Sequence, residues 1–208
     1  MNPALALLKT LGQSPMMTRS LKQLERLDLS SNTWRHMAEL VDAGLVFRLA
    51  RGSYTAIPTG KPESWRPTVE VMAVALAVCR YGQGTLVGLS AARHWMAAPR
   101  SGHATVAIPA RPTTPTVAID RGAATLVHRD PVTIDARQQE GPLGSMWVAS
   151  PAQTIIDLMD TPGNQNVIAQ LAGRVDRPGL LMLEQHGASK TIRQTARRLV
   201  RQREVSAH

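Results

Sequence analysis

GLVFRLARGSYTAI, residues 44–57, reads as a strand, a tight turn and a second strand. Leu45, Phe47 and Leu49 alternate with Val46, Arg48 and Ala50, the period-two pattern of a strand with one buried face. Arg51-Gly52 supplies the turn, and Tyr54 to Ile57 the return strand. The ribbon follows directly on a helical stretch and carries Arg48 and Arg51 near its tip. A basic tip on a two-stranded ribbon asks for an anionic neighbour.

Working outward towards the N-terminus, the spacing predicts three helices. Residues 3–11 form the first, with Pro3 in its first turn and Gly12 after its end. Thr18 opens the second, TRSLKQLERL, with Leu21, Leu24 and Leu27 on one side; DLSSN breaks it. Ser31 is placed to cap the third, NTWRHMAELVDA, which Gly44 stops. Trp34, Met37, Ala38 and Val41 follow the i, i+3, i+4, i+7 rule and form its expected buried stripe. Asn32, Arg35, His36 and Glu39 fall opposite.

Helix, helix, turn, helix, hairpin is the order of a winged helix-turn-helix, in which the third helix enters a major groove and the hairpin lies beside the backbone. On this reading Asn32, Arg35 and His36 face base edges. Ser31 and Thr33, at the helix N-terminus, suit phosphate or thymine. Arg19, Lys22, Arg48 and Arg51 position the protein on phosphates. Glu39 is the odd member, since it repels phosphate unless it accepts from cytosine.

Composition agrees with a polyanionic partner. The chain has 208 residues, a formal charge of +9 and a pI near 10.9. Residues 1–66 carry 9 Lys/Arg against 5 Asp/Glu, residues 67–166 carry 7 against 7, and residues 167–208 carry 8 against 3. The ends are basic and the middle is neutral, as if two surfaces served two purposes. One cysteine, Cys79, cannot form an internal disulfide, which suits a reducing cytoplasm. The longest apolar run, VMAVALAVC, is too short to span a bilayer, so no membrane partner is expected.

Beyond PTGKPESWRP (58–67), which carries three prolines and reads as a linker, the pattern changes. Residues 68–81 and 88–97 read as helices. HATVAIP, TVAID and ATLVHRD read as strands, with VTIDARQ and SMWVAS as two more candidates. Ser150 then caps the helix PAQTIIDLMD, and the rest is helical. The expected class is α+β: an N-terminal winged helix-turn-helix domain over 1–60, then a mixed α/β domain over 66–208 that ends in helices. On the last helix Lys190, Arg193, Arg197 and Arg201 share one narrow stripe, which is either a solvated face or a contact for DNA or an acidic partner.

LVDAGLVFRLARGSYTAI resembles the N-terminal segment of the AbiEi-type antitoxin family, and TLVGLSAARHWMA and WVASPAQTIIDLMD resemble its later parts. The last of these carries the family's SP-x-x-T-x-x-D helix as Ser150, Pro151, Thr154 and Asp157. The similarity covers most of residues 15–162; the C-terminal helices carry no matching motif. The resemblance implies an antitoxin of a bacterial toxin–antitoxin pair. Its winged helix would bind inverted repeats in its own promoter as double-stranded DNA and repress the operon. Its second domain would counter a cognate toxin with a nucleotidyltransferase-like fold. Such a protein is expected to be a monomer in solution, or to self-associate weakly on DNA.

Enzymatic chemistry finds little foothold. Asp120, Asp130, Asp135 and Glu140 are present, yet no Glu-x-Lys pair occurs and no lysine lies between Lys61 and Lys190. The six histidines do not cluster at ligand spacing, and GQGTLVG (82–88) lacks a phosphate loop's Gly-Lys-Ser/Thr ending, so it reads as a loop between helices. No catalytic residue, metal or cofactor is expected. The competing functional reading is a stand-alone winged-helix transcription regulator whose second domain senses a small ligand.

Overall fold

A computed structural model describes residues 3–26, 32–96, 101–159, 163–186 and 190–205. The chain begins with helix α1 (Pro3–Gly12), strand β1 (Thr18–Ser20) and a short helix α2 (Leu21–Glu25), followed by helix α3 (Thr33–Asp42). The hairpin is β2 (Val46–Ala50) and β3 (Ser53–Ala56). Thr18 therefore opens a strand and not the second helix. Ser20 is the true N-cap: its side chain accepts from the Gln23 N–H while the Gln23 side chain accepts from the Ser20 N–H. Leu27 and Ser31 lie outside the described residues, and the N-cap position of α3 is taken by Asn32, whose side chain makes no capping bond, rather than by Ser31.

β1 and β2 both pair antiparallel with β3, giving a three-stranded sheet in the order β1-β3-β2. One face of it covers a small core made by Ala4, Leu7 and Leu11 of α1, Leu24 of α2, and Met37 and Leu40 of α3.

Helix α4 (Val69–Tyr81) follows, capped by Thr68 and stopped by Gly82 at φ +78°. Next come strand β4 (Thr85–Leu86), helix α5 (Gly88–Met96), and strands β5 (His103–Ile108), β6 (Thr116–Ile119) and β7 (Gly122–His128). A 3-10 turn, Pro131–Thr133, leads to β8 (Ala136–Gly141) and β9 (Gly144–Ala149). These strands form a mixed six-stranded sheet in the order β6-β7-β5-β4-β9-β8. GQGTLVG is thus not merely a loop: Thr85 and Leu86 are buried between β5 and β9. The run VTIDARQ splits between the 3-10 turn and the start of β8.

Helices α6 (Pro151–Met159), α7 (Gln165–Ala172), α8 (Arg177–His186) and α9 (Lys190–Val205) close the chain. They pack with α5 around Ile155, Leu158, Leu171 and Leu180. Ser150 caps α6 as expected, accepting from the Gln153 N–H at 3.1 Å. The fold is mixed α+β with two sheets.

Helix α4 explains how the two sheets meet. Its residues are apolar on nearly every side, the signature of a helix buried all round. It contacts β5 and β7 of the large sheet and also β1 and β2 of the small one. The far face of the hairpin joins the same core: Phe47, Leu49 and Ala50 are buried together with Met72, Leu76, Val106 and Leu126. The far face of the hairpin and the later elements consequently contribute to one cluster, beside the separate small core within residues 4–56. The segment 58–67 is itself tied down. Arg66 donates to Asp120 at 2.6 Å and to the Glu63 and Trp65 carbonyls, and its guanidinium sits 4.4 Å from the centre of the Phe47 ring.

Candidate nucleic-acid interface

Two faces of α3 are set by its docking. Thr33, Met37 and Leu40 are buried, and His36 and Val41 are half-buried. The stripe is i, i+3, i+4, i+7 from Thr33, one residue earlier than the sequence suggests. Trp34, expected in the core, is 65% exposed, and Ala38 is exposed beside it. Met37 and Leu40 are the α3 residues that join the small core with α1, and Thr33, not Trp34, lies on their side of the helix. The outward face is therefore Asn32, Trp34, Arg35, Ala38 and Glu39.

Of the residues assigned to base or phosphate contact on α3, Asn32 and Arg35 are presented to solvent. Thr33 is 3% exposed and His36 is turned part-way to the core, so neither shares that outward face. Glu39 gains a local explanation: its carboxylate lies 3.4 Å from Arg35 Nε, one helical turn on. Both side chains are more than half exposed, so the pair contributes only a few tenths of a kcal/mol, ~0.3–0.5, and restrains Arg35 weakly.

The small sheet supplies the second part of the surface. Residues directly opposed across antiparallel strands share a face. Arg19 opposes Tyr54, and Tyr54 opposes Arg48. One row thus reads Arg, Tyr, Arg across β1, β3 and β2. Tyr54 also packs on the small core, while Arg48 is exposed. Arg19 is half-buried, and its Nε is enclosed without an acceptor.

At the turn, Arg51 is exposed and Gly52 adopts φ +69°, a conformation natural to glycine. The Gly52 carbonyl accepts from the Leu21 N–H at 2.8 Å, which joins the hairpin turn to the start of α2. Lys22, in the first turn of α2, is exposed next to that junction. Among the described residues, Arg19, Lys22, Arg48 and Arg51 form no ion pair.

The hairpin does not project as a free ribbon with one buried face. Val46, Phe47, Leu49 and Ala50 are all buried, because one face covers the small core and the other faces α4 and the large sheet. Only Arg48 within β2 is exposed. The open edge of β2 is also engaged, since the Leu49 carbonyl accepts from the Asp120 N–H at 2.8 Å. Arg48 and the turn residue Arg51 remain exposed, while Arg19 and Tyr54 are half-buried.

Cys79, near the end of α4, lies beside this region. Burial pushes its thiol pKa up, against a hydrogen bond with Ser53 and the nearby Arg80 and Arg19 guanidiniums. It is a buried thiol rather than an activated one.

The basic stripe of the last helix belongs to a different group of elements. Lys190, Arg193, Arg197 and Arg201 are exposed on α9, which packs on α8, and Arg197 pairs with Glu184 at 2.8 Å.

The acidic residues of the second half are occupied locally. Asp120 pairs with Arg66, Asp130 caps the 3-10 turn, Asp135 accepts from Ser150 Oγ, and Glu140 accepts from Ser145. Asp157 holds Arg129 at 2.7 Å and Gln153 at 2.9 Å. Among the described residues no group of three or more His, Cys, Asp or Glu is arranged to hold a metal ion, and no helix is long and apolar enough to cross a membrane.

Sequence reasoning missed Trp34 as an outward residue and Tyr54 as the middle of the arginine row. The Tyr54 row could have been found had Thr18–Ser20 been read as a strand, since β-branched Thr18 and the capping pair Ser20 and Gln23 together mark a strand that ends where a helix starts. No family model matches the chain, and comparison with curated proteins gives no match.

Proposed function

We propose that residues 1–60 are a winged helix-turn-helix and that the protein binds double-stranded DNA through the outward face of α3 and the Arg19-Tyr54-Arg48 row. The observation that carries this reading is the order α1-β1-α2-α3-β2-β3 with the sheet order β1-β3-β2. In that arrangement α3 turns Asn32, Trp34, Arg35 and Glu39 outward, and the hairpin carries the exposed Arg48 and Arg51. Asn32 and Arg35 are the direct readers, for adenine and guanine respectively, and Trp34 offers an apolar contact to a thymine methyl group. Lys22, Arg48 and Arg51 contact phosphates.

In the wider role, the protein is an antitoxin that represses its own operon at inverted repeats and counters a nucleotidyltransferase-like toxin in the cytoplasm. What supports this role is the resemblance carried by the hairpin segment and by the Ser150-Pro151-Thr154-Asp157 helix. The stand-alone regulator has one observation in its favour: a groove of about 340 Å³ beside the exposed Trp147, lined also by Val132, Ile134 and Thr85.

Mobility shifts with DNA from upstream of the protein's own reading frame test the first part. Growth rescue by co-expression with the neighbouring reading frame tests the second. A shift without rescue favours the stand-alone regulator.

A further inference from the structure

Arg80 sits one residue from the end of α4, where a cation beside the exposed carbonyls is expected on helix-dipole grounds alone. Its surroundings give it a second role. Arg80 Nη2 donates to the Arg51 carbonyl at 3.2 Å, so its guanidinium lies against the hairpin turn. The preceding residue touches α2: Gln23 Nε2 donates to the Cys79 carbonyl at 3.2 Å. Two consecutive residues of α4 thus meet the two elements that carry Lys22 and Arg51.

We infer that Arg80 is a DNA-phosphate contact contributed from outside the winged helix, so that the nucleic-acid surface continues from the hairpin turn onto the end of α4. This inference rests on the DNA-binding reading.

Charge complementarity selects the occupant. Arg80 is exposed, and among the described residues it forms no ion pair. One of its five donors is used on Arg51, and the others remain for an anion. Arg19, Lys22, Arg48 and Arg51 surround the same junction of β1, α2 and the turn. Within residues 18–25 and 46–56 the single carboxylate is Glu25, at the far end of α2. Five cations around one turn, with a single acid at the edge, fit the evenly spaced charges of a duplex backbone. The shared core fixes α4 against the hairpin, so Arg80 keeps this place whenever the protein is folded.

The alternative is that Arg80 only braces the turn. Salt dependence separates the two, because each phosphate contact contributes about 0.9 to the slope of log K against log salt and a brace contributes nothing. The full-length protein is titrated into a mixed-sequence DNA duplex over a salt series, as wild type, Arg51→Ala, Arg80→Gln and Arg80→Lys. The expected result is a slope lowered by about one unit in Arg51→Ala and again in Arg80→Gln, with several-fold weaker binding at low salt, and recovery of both quantities in Arg80→Lys. An unchanged slope in Arg80→Gln, alongside a lowered slope in Arg51→Ala, overturns the inference and leaves DNA binding standing. No binding by the folded wild type, or a preference for duplex RNA, overturns both.

Discussion

Thr33 and Trp34 are neighbours with opposite environments. Met37 lies on the Thr33 side, completely buried. Met37→Ala should therefore cost about 2–5 kcal/mol, whereas Trp34→Ala should change stability by less than about 0.5 kcal/mol. Urea titrations of both variants check the phase of α3; comparable losses would return Trp34 to the core. On the outward face, Arg35→Ala should remove about 1–3 kcal/mol of discrimination among operator sequences, read as competition by altered duplexes. His94 provides a pH test. Burial pushes its pKa down, against the opposing pull of Glu70 and a hydrogen bond with Gln139. Its folded pKa lies below its unfolded value near 6.5, so the unfolded chain takes up the proton first. Stability from this group is present above about pH 6.5 and falls as the pH drops below it. His94→Gln should flatten that part of the profile, and an unaltered slope between pH 7 and pH 5, in thermal or urea unfolding, would contradict the assignment. At this scale the sequence revealed residue types and their helix, but not the phase of the helix, because neither Thr nor Trp declares its side until the partner surface is known.

At the scale of elements, the hairpin was legible and its setting was not. The alternation across residues 45–50 marks a strand, but burial on both faces arises from α4, which is distant in sequence. The capping box at Ser20 moved the start of α2, and a two-residue strand such as β4 is too short to leave a period. The buried far face of the hairpin carries a consequence. A fragment of residues 1–60 would expose Met16, Phe47, Leu49 and Ala50, all buried in the whole chain. Such a fragment should show no cooperative melting by circular dichroism, and a sharp two-state melt would mean that residues 1–60 fold without their neighbour. The junction has a close approach to test as well. A Cβ on Gly144, at φ +131°, would lie 2.2 Å from the Pro15 carbonyl oxygen. Gly144→Ala should lower the melting temperature by several degrees, on the order of 1–3 kcal/mol, while Gly82→Asn, at a helix end with open space, should cost less. The basic stripe of α9 is an element of another kind. Arg193, Arg197 and Arg201 changed together to Glu should leave stability near wild type, since exposed charges are individually worth little. Operator affinity measured on that triple variant shows whether α9 reaches DNA; a fall in affinity with a flatter salt slope would place it on the duplex.

For the molecule as a whole, charge and fold divide differently. The sequence separates basic ends from a neutral middle, and that division is real in composition. The packing does not follow it: α4, the large sheet and the far face of the hairpin contribute to one cluster, and the proline-bearing segment is held by Arg66 rather than left as a hinge. The central claim is that the outward face of α3 and the arginines of the small sheet form one duplex-binding surface. The most direct measurement is a mobility shift with DNA from upstream of the reading frame, comparing wild type, Arg35→Ala and Arg48→Ala/Arg51→Ala at two salt concentrations. The account predicts a specific shift for wild type, lost sequence preference in Arg35→Ala, and uniformly weaker, less salt-sensitive binding in the double variant. Wild-type affinity and salt dependence in all the variants would contradict it.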